Sequence, residues 1–305
     1  MTTVSAASSD AIPMHIEHRI RTRDGRTLAV AEWGDPNGVP LFALHGTPGS
    51  RVAFWHDPTI YTRHGLRRIT LDRPGYGEST RQPGRSVVDI VPDILAIAGA
   101  LGIGFFAITG GSGGGPHALA CAALLPHLVL RCLADVCVAP IGSAGLDWLA
   151  GQTKGNVEEF EAALRGEDAI RPIAMSGSAA MLAAFDSGDS DFLGGDYEMP
   201  DEDRAQMAKH LGLIRTQLRA GLEHGVDGWV DDDIALTRPW GFDLADIRVP
   251  VLLTYGRTDT LVPAAHGDWL ADHIPNVVTR VSESTGHIGD DNDIERDMAW
   301  LAGAA

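Results

Sequence analysis

The stretch Ile108-Thr109-Gly110-Gly111-Ser112-Gly113-Gly114-Gly115 decides how this chain is read. Just upstream, Phe105 to Thr109 is a short apolar run of the kind that fills a fully buried strand. Downstream, Gly113 to Leu125 carries a helical pattern. Gly110, Ser112 and Gly114 between them form G-x-S-x-G in the strand-to-helix context that gives this pattern a mechanical meaning. A serine in a strained turn at the end of a strand projects its hydroxyl beyond the sheet edge, and small flanking residues let strand and helix approach. The helix's first turn also offers unpaired N–H groups to a developing negative charge. Gly113, Gly115 and Ala118 match G-x-G-x-x-A as well, but mid-chain, with Pro116 inside and no other nucleotide feature.

Working outward, His15 to Thr22 and Thr27 to Trp33 read as a hairpin turned at Asp24-Gly25. Pro40 to Leu44, Arg68 to Leu71, Leu128 to Val138 and Val251 to Tyr255 read as further buried strands, and Val277 to Val281 as a strand. Helical patterns fall at Val87 to Leu101, Ala264 to Ile274 and Ile294 to Leu301. The alternation predicts an α/β doubly wound, mostly parallel sheet opened by an antiparallel hairpin. From Gly142 to Arg238 the strand signal disappears. Leu146 to Ala150, Val157 to Leu164, Ala179 to Phe185 and Asp201 to Leu222 read as helical, separated by Gly-, Ser- and Asp-rich loops such as Ser187 to Asp196. The division expected is a core in two parts, 1–141 and 239–305, with a helical cap at 142–238 lying over a site.

Composition narrows the function. The 305 residues are 44% hydrophobic and 21% charged, ordinary for a soluble globular chain. The net charge of −17 argues against nucleic acid and anionic membrane surfaces as partners. Met1 to Pro13 has neither the basic nor the apolar region of a signal peptide. Ile94 to Leu130 lacks Asp, Glu, Lys and Arg, but glycines and Pro116 interrupt it, so no membrane span is expected. Cys121, Cys132 and Cys137 form no CxxC and suggest no disulfide framework, which points to a cytoplasmic protein. Lysine occurs only at 154 and 209 amid abundant Arg, Ala and Gly, the bias of a GC-rich bacterial genome. The histidines show no H-E-x-x-H, so neither a metal nor a cofactor is expected.

Other loops complete the chemistry. Leu44-His45-Gly46-Thr47-Pro48-Gly49 follows a strand, and the Thr47 N–H paired with the Gly113 N–H would make a two-donor oxyanion hole. Asp72 to Ser79 is another Gly-rich loop, with Asp72 read as ordering it. Asp259 stands just past the Val251 to Tyr255 strand, and His287 follows Gly286 in the loop after Val277 to Val281. Asp259 could instead cap the helix after Pro263, and Asp135 is the runner-up acid. His117 reads as a packed core histidine, and Asp290, Asp291 and Asp293 as a cap for the last helix.

Together, His45-Gly46-Thr47-Pro48-Gly49, Asp72 to Ser79, Gly110 to Gly114, Gly256-x-x-Asp259 and Gly286-His287 resemble the α/β-hydrolase superfamily. The chain is most similar to its cap-bearing bacterial serine hydrolases, the branch of esterases and prolyl aminopeptidase-like enzymes. The resemblance covers about residues 15 to 302 outside the cap, and it implies a nucleophile–acid–histidine order met here by Ser112, Asp259 and His287. The activity implied is hydrolysis of a carboxylic ester or lactone of a small, fairly apolar molecule. Alternatives are a prolyl aminopeptidase-like peptidase or amidase, and a non-catalytic ligand-binding protein. Thr47 and Gly113 depart from the peptidase pattern, which usually has a further glycine and an aromatic residue there. Among cap residues, Trp148, Trp229 and Trp240 are candidates to line the substrate pocket. Glu158, Glu159 and Glu161 match the amine-binding glutamates of such peptidases only loosely, and read better as a solvated helix face. The expected partner is a small-molecule substrate, with a homodimer left open.

Overall fold

The computed structural model describes residues 15–53, 56–189, 192–193 and 196–303. Part of the Ser187 to Asp196 loop and all of Met1 to Pro13 therefore lie outside the described residues. The hairpin is present as β1 (Ile16–Arg21) and β2 (Thr27–Gly34), followed by β3 (Val39–Leu44), the short α1 (Ile60–Arg63) and β4 (Leu66–Leu71). Next come α2 (Ile90–Leu101), β5 (Phe106–Gly111), α3 (Gly115–Leu124) and β6 (Val129–Asp135). Five helices intervene before the sheet resumes: α4 (Lys154–Arg165), α5 (Glu167–Ser187), α6 (Asp201–Lys209), α7 (Leu211–Leu222) and α8 (Asp227–Leu236). The chain ends with β7 (Val251–Gly256), α9 (Ala264–His273), β8 (Val277–Ser282) and α10 (Asp291–Leu301).

The sheet has 8 strands in the order β1-β2-β4-β3-β5-β6-β7-β8. β2 pairs antiparallel with both β1 and β4, and every other neighbouring pair is parallel, as the alternating pattern predicts. Successive strand residues face opposite sides. Val30, Phe42, Leu44 and Ile69 pack with Ile94 and Ile97 of α2 and Leu119 of α3. Ala31, Leu41 and Leu252 pack with Tyr61 of α1 and Met298 and Leu301 of α10. A separate core joins the inserted helices through Ile170, Met181, Ile214, Leu218 and Trp229.

Local outcomes differ from the sequence reading at several points. β6 stops at Asp135 rather than Val138, because Val136 adopts φ 42 and leaves the strand. Leu146 to Ala150 forms turns rather than a helix. Asp201 to Leu222 is two helices, broken at His210 with φ −118 and ψ 19. The break lets α6 meet the loop of His287 while α7 lies on the loop after β3, where Ser50 Oγ donates to Gln217 O at 2.8 Å. All three cysteines are buried and unbridged. Among the described residues, no helix is long and apolar enough to cross a membrane.

Candidate active site

Register delivers the chemistry to one edge. Leu44 of β3 pairs with Gly110, Gly111 with Asp135, Asp135 with Thr254, and Gly256 with Ser282. The loops after β3, β5, β6, β7 and β8 therefore emerge side by side. At the end of β5, Ser112 adopts φ 52, the left-handed region that side-chain-bearing residues rarely enter. A tight turn, Ser112–Gly114, then leads into α3, with Pro116 in its first turn where a missing N–H costs nothing. Gly114 is required by contact: a Cβ there would stand 2.5 Å from Leu44 O and 2.6 Å from His45 O. At Gly113 a Cβ would stand 2.3 Å from Thr47 Oγ1. The two glycines thus allow the loop after β3 to close on the turn, and Thr47 and Gly113 adjoin beside Ser112.

Asp259 and His287 meet directly. Asp259 Oδ2 lies 2.8 Å from His287 Nδ1, while Oδ1 accepts the N–H groups of Leu261 at 2.8 Å and Val262 at 2.9 Å. Asp135 is engaged elsewhere, accepting from Thr254 Oγ1 at 2.6 Å, and burial pushes its carboxyl up to about 6. With Nδ1 held by the carboxylate, the imidazole's other nitrogen is available for proton transfer. Burial alone would lower the imidazole; Asp259, with Asp203 and Asp135 beyond it, outweighs burial and raises it above the ordinary histidine value. Ser112 and His287 line one cavity of about 510 Å³ together with His45, Asp135 and Thr254. No hydrogen bond joins them among the described residues, and such contacts commonly tighten only when substrate binds.

Behind Thr47 lies a buried ionic cluster. Asp232 of α8 takes Arg73 Nη2 at 2.5 Å, Arg85 Nη2 at 2.5 Å, Tyr76 Oη at 2.9 Å and Thr47 Oγ1 at 2.8 Å, and both Asp232 and Arg73 are fully buried. Arg73 Nη2 also donates to Gly46 O at 2.9 Å. Burial opposes the Asp232 charge, but the two guanidinium groups outweigh it and hold the carboxyl well below its usual range. His117 sits against this cluster, Nε2 3.6 Å from Asp232 and Nδ1 3.1 Å from Val87 O, a core position as its sequence context suggests. Asp72 orders its loop by accepting the Glu78 N–H at 3.1 Å, and ties it to the loop after β3 by accepting Arg51 N and Nη1, both at 2.6 Å. Asp290 caps α10 by accepting the Asp293 N–H at 2.8 Å.

A second cavity, about 110 Å³, opens between Ser112 and the inserted helices. Thr47, Gly113, Phe160, Met181, Trp229 and Val262 line it. Of the three tryptophans proposed for the pocket, only Trp229 lines this cavity. Trp148 packs edge-on against Phe160 and donates to Ala139 O at 2.6 Å, and Trp240 stacks on Phe242; each fills core beneath the site instead. The acidic run on α4 also needs correction. Glu158 and Glu161 are exposed, but Glu159 is buried, lines the cavity, and accepts Trp229 Nε1 at 2.6 Å and Tyr197 Oη at 2.9 Å. Beside it stands Asp233, 1% exposed, whose carboxyl is driven well above its usual value by burial and by the neighbouring Glu159. Sequence reasoning missed Asp233, Asp232 and Asp203. The available signal was three successive aspartates inside the otherwise apolar Trp229–Leu236 segment, since a helix turns about 100° per residue and cannot aim all three at water on its buried side.

A family model for the alpha/beta hydrolase fold matches residues 39–289. The chain belongs to the α/β-hydrolase fold family. The chain is 36% identical to a proline iminopeptidase of Xylella fastidiosa over 119 residues, 35% of the chain and 36% of the relative. It therefore spans only about a third of that relative's length. It is 26% identical to a non-heme chloroperoxidase of Streptomyces lividans over 81% of the chain and 83% of the relative. In fold, it matches an esterase from Exiguobacterium antarcticum with a TM-score of 0.65 and 21% identity, covering 94% of this chain and 98% of that one.

Proposed function

We propose that this hydrolase cleaves a carboxylic ester or lactone of a small, fairly apolar molecule through an acyl-enzyme on Ser112, without a cofactor. One observation carries the reading: a serine held at φ 52 on a sheet edge shared with an Asp259–His287 pair 2.8 Å apart. His287 takes the Ser112 proton as the hydroxyl oxygen attacks the carbonyl carbon. Asp259 holds the imidazole tautomer and stabilises the imidazolium. The Thr47 and Gly113 N–H groups receive the oxyanion. The imidazolium then gives its proton to the leaving oxygen, and water, activated by the same base, releases the acid. The helices between β6 and β7 act as the cap, and the apolar side chains of the smaller cavity suit a short acyl group.

A second reading has an observation of its own. Glu159 and Asp233 put two buried carboxyls in the wall of that cavity, and the Asp233 oxygens have no hydrogen-bond donor among the described protein groups. A cationic amine seated beside them would pair with the Asp233 carboxylate and offset its burial. That favours a substrate bearing a free amine, as for an aminopeptidase or amidase, and the Xylella relative, a proline iminopeptidase, is in keeping.

Parallel assays with p-nitrophenyl butyrate and proline 2-naphthylamide separate the readings. Ester turnover, unchanged in Glu159→Gln and Asp233→Asn, supports the first. Turnover of the amide alone, lost in both variants, establishes the second. Fluorophosphonate labelling of the wild type, absent in Ser112→Ala, is expected on either; failure of the wild type to label leaves a non-catalytic binder.

A further inference from the structure

Asp203 belongs to α6, in the inserted helices, yet its carboxylate is spent on the core. It is fully buried. Its oxygens accept three successive backbone N–H groups of the loop after β8: Gly286 at 3.1 Å, His287 at 2.7 Å and Ile288 at 3.3 Å. Gly286 has no side chain because the carboxylate occupies that space; a Cβ there would stand 2.5 Å from Asp203 Oδ2. No lysine or arginine pairs with Asp203 among the described residues; burial pushes its carboxyl above the usual value, and these N–H dipoles and the nearby imidazole work against that shift. Consecutive N–H groups converging on one carboxylate fix the loop's φ and ψ, and with them the direction in which the imidazole leaves the backbone.

We propose that Asp203 is a positioning residue through which the cap holds His287 in its working geometry, so that the proton-transfer apparatus is complete only while α6 is seated on the core. This rests on the reading of His287 as the general base. The groups facing the imidazole are Asp259 from the loop after β7, Asp135 from the end of β6 and Asp203 from α6. Removing the Asp203 charge therefore takes away one of three carboxylates that favour the imidazolium.

The test compares wild type, Asp203→Asn and His287→Ala on p-nitrophenyl butyrate across pH, with melting curves for each. Asp203→Asn is expected to lower kcat on the order of 10- to 100-fold, as misplacement of a base by about 1 Å does. KM is expected to stay within about threefold. The acidic limb of kcat/KM moves to lower pH, a change that loss of stability alone does not produce. Unchanged kcat and an unmoved limb in Asp203→Asn, beside an inactive His287→Ala, overturn the proposal and leave the triad standing. An active His287→Ala removes both. Should Asp203→Asn fail to fold, amide exchange in the wild type decides: Gly286, His287 and Ile288 N–H groups protected about 100-fold or more support the clamp, and exchange at the free-peptide rate refutes it.

Discussion

Ser112 shows what a single residue gives up for its task. A left-handed backbone costs a side-chain-bearing residue about 1 kcal/mol or more, and Ser112 bears it at φ 52 in the turn that follows β5 at the sheet edge. Ser112→Gly is therefore expected to gain about 1 kcal/mol in urea unfolding while losing all turnover; equal or lower stability would show that the neighbouring packing, not the dihedral, sets the energy. His287 makes a prediction in pH. In the proposed mechanism its neutral form is the base; its pKa is raised by Asp259 against the pull of burial, so kcat/KM is expected to rise with pH along a limb centred above the ordinary histidine value of about 6.5. Asp259→Asn removes both tautomer control and that charge. Its kcat is expected to fall by about 10⁴-fold, and stopped-assay kinetics at saturating ester will read the loss.

At the scale of an element, α8 uses its pitch to send neighbouring carboxylates to different tasks. Asp231 pairs with Arg81 at 2.8 Å, Asp232 holds Arg73 and Arg85, and Asp233 stands beside Glu159 at the cavity. Asp232→Ala would strand two buried guanidinium groups, and the expected cost is about 3–5 kcal/mol in denaturant unfolding. The fold depresses the Asp232 pKa, so its stabilisation is complete above the unfolded carboxyl value of about 4 and is lost as pH falls through and below it. The turn after β5 makes the complementary point about small residues. Gly113→Ala would press a methyl group onto Thr47, 2.3 Å from Oγ1. It is expected to lower kcat by about 10²–10³-fold by moving one oxyanion donor, with fluorophosphonate labelling slowed in parallel.

Across the whole molecule, the inserted helices are tied to the sheet edge by contacts with the loops of the proposed site. Asp203 grips the His287 loop, Asp232 the loop of Thr47, and Asn156 Nδ2 donates to Leu261 O at 2.8 Å next to Asp259. The formal charge of −17 adds a long-range term, since unscreened carboxylates repel in the compact state. Melting temperature is thus expected to rise between about 10 and 150 mM salt as the Debye length shrinks from roughly 30 to 8 Å; a fall would mean that exposed ion pairs such as Arg63–Glu295 outweigh the net repulsion. Much of this was legible in advance because it is local. Apolar runs of strand length, the helical patterns between them and the glycines around Ser112 act over a few residues, so they specify the parallel sheet and the turn that bears the hydroxyl. Which of two aspartates meets the imidazole, which tryptophan lines the cavity, and that Glu159 turns inward while Glu158 and Glu161 face water are matters of direction in space. A helix fixes the angle between successive side chains but not which side meets the core, and a loop fixes neither. Packing of α4, α6 and α8 against the sheet edge made those choices, because burying a carboxylate is tolerable only where other groups, distant in sequence, supply its hydrogen bonds.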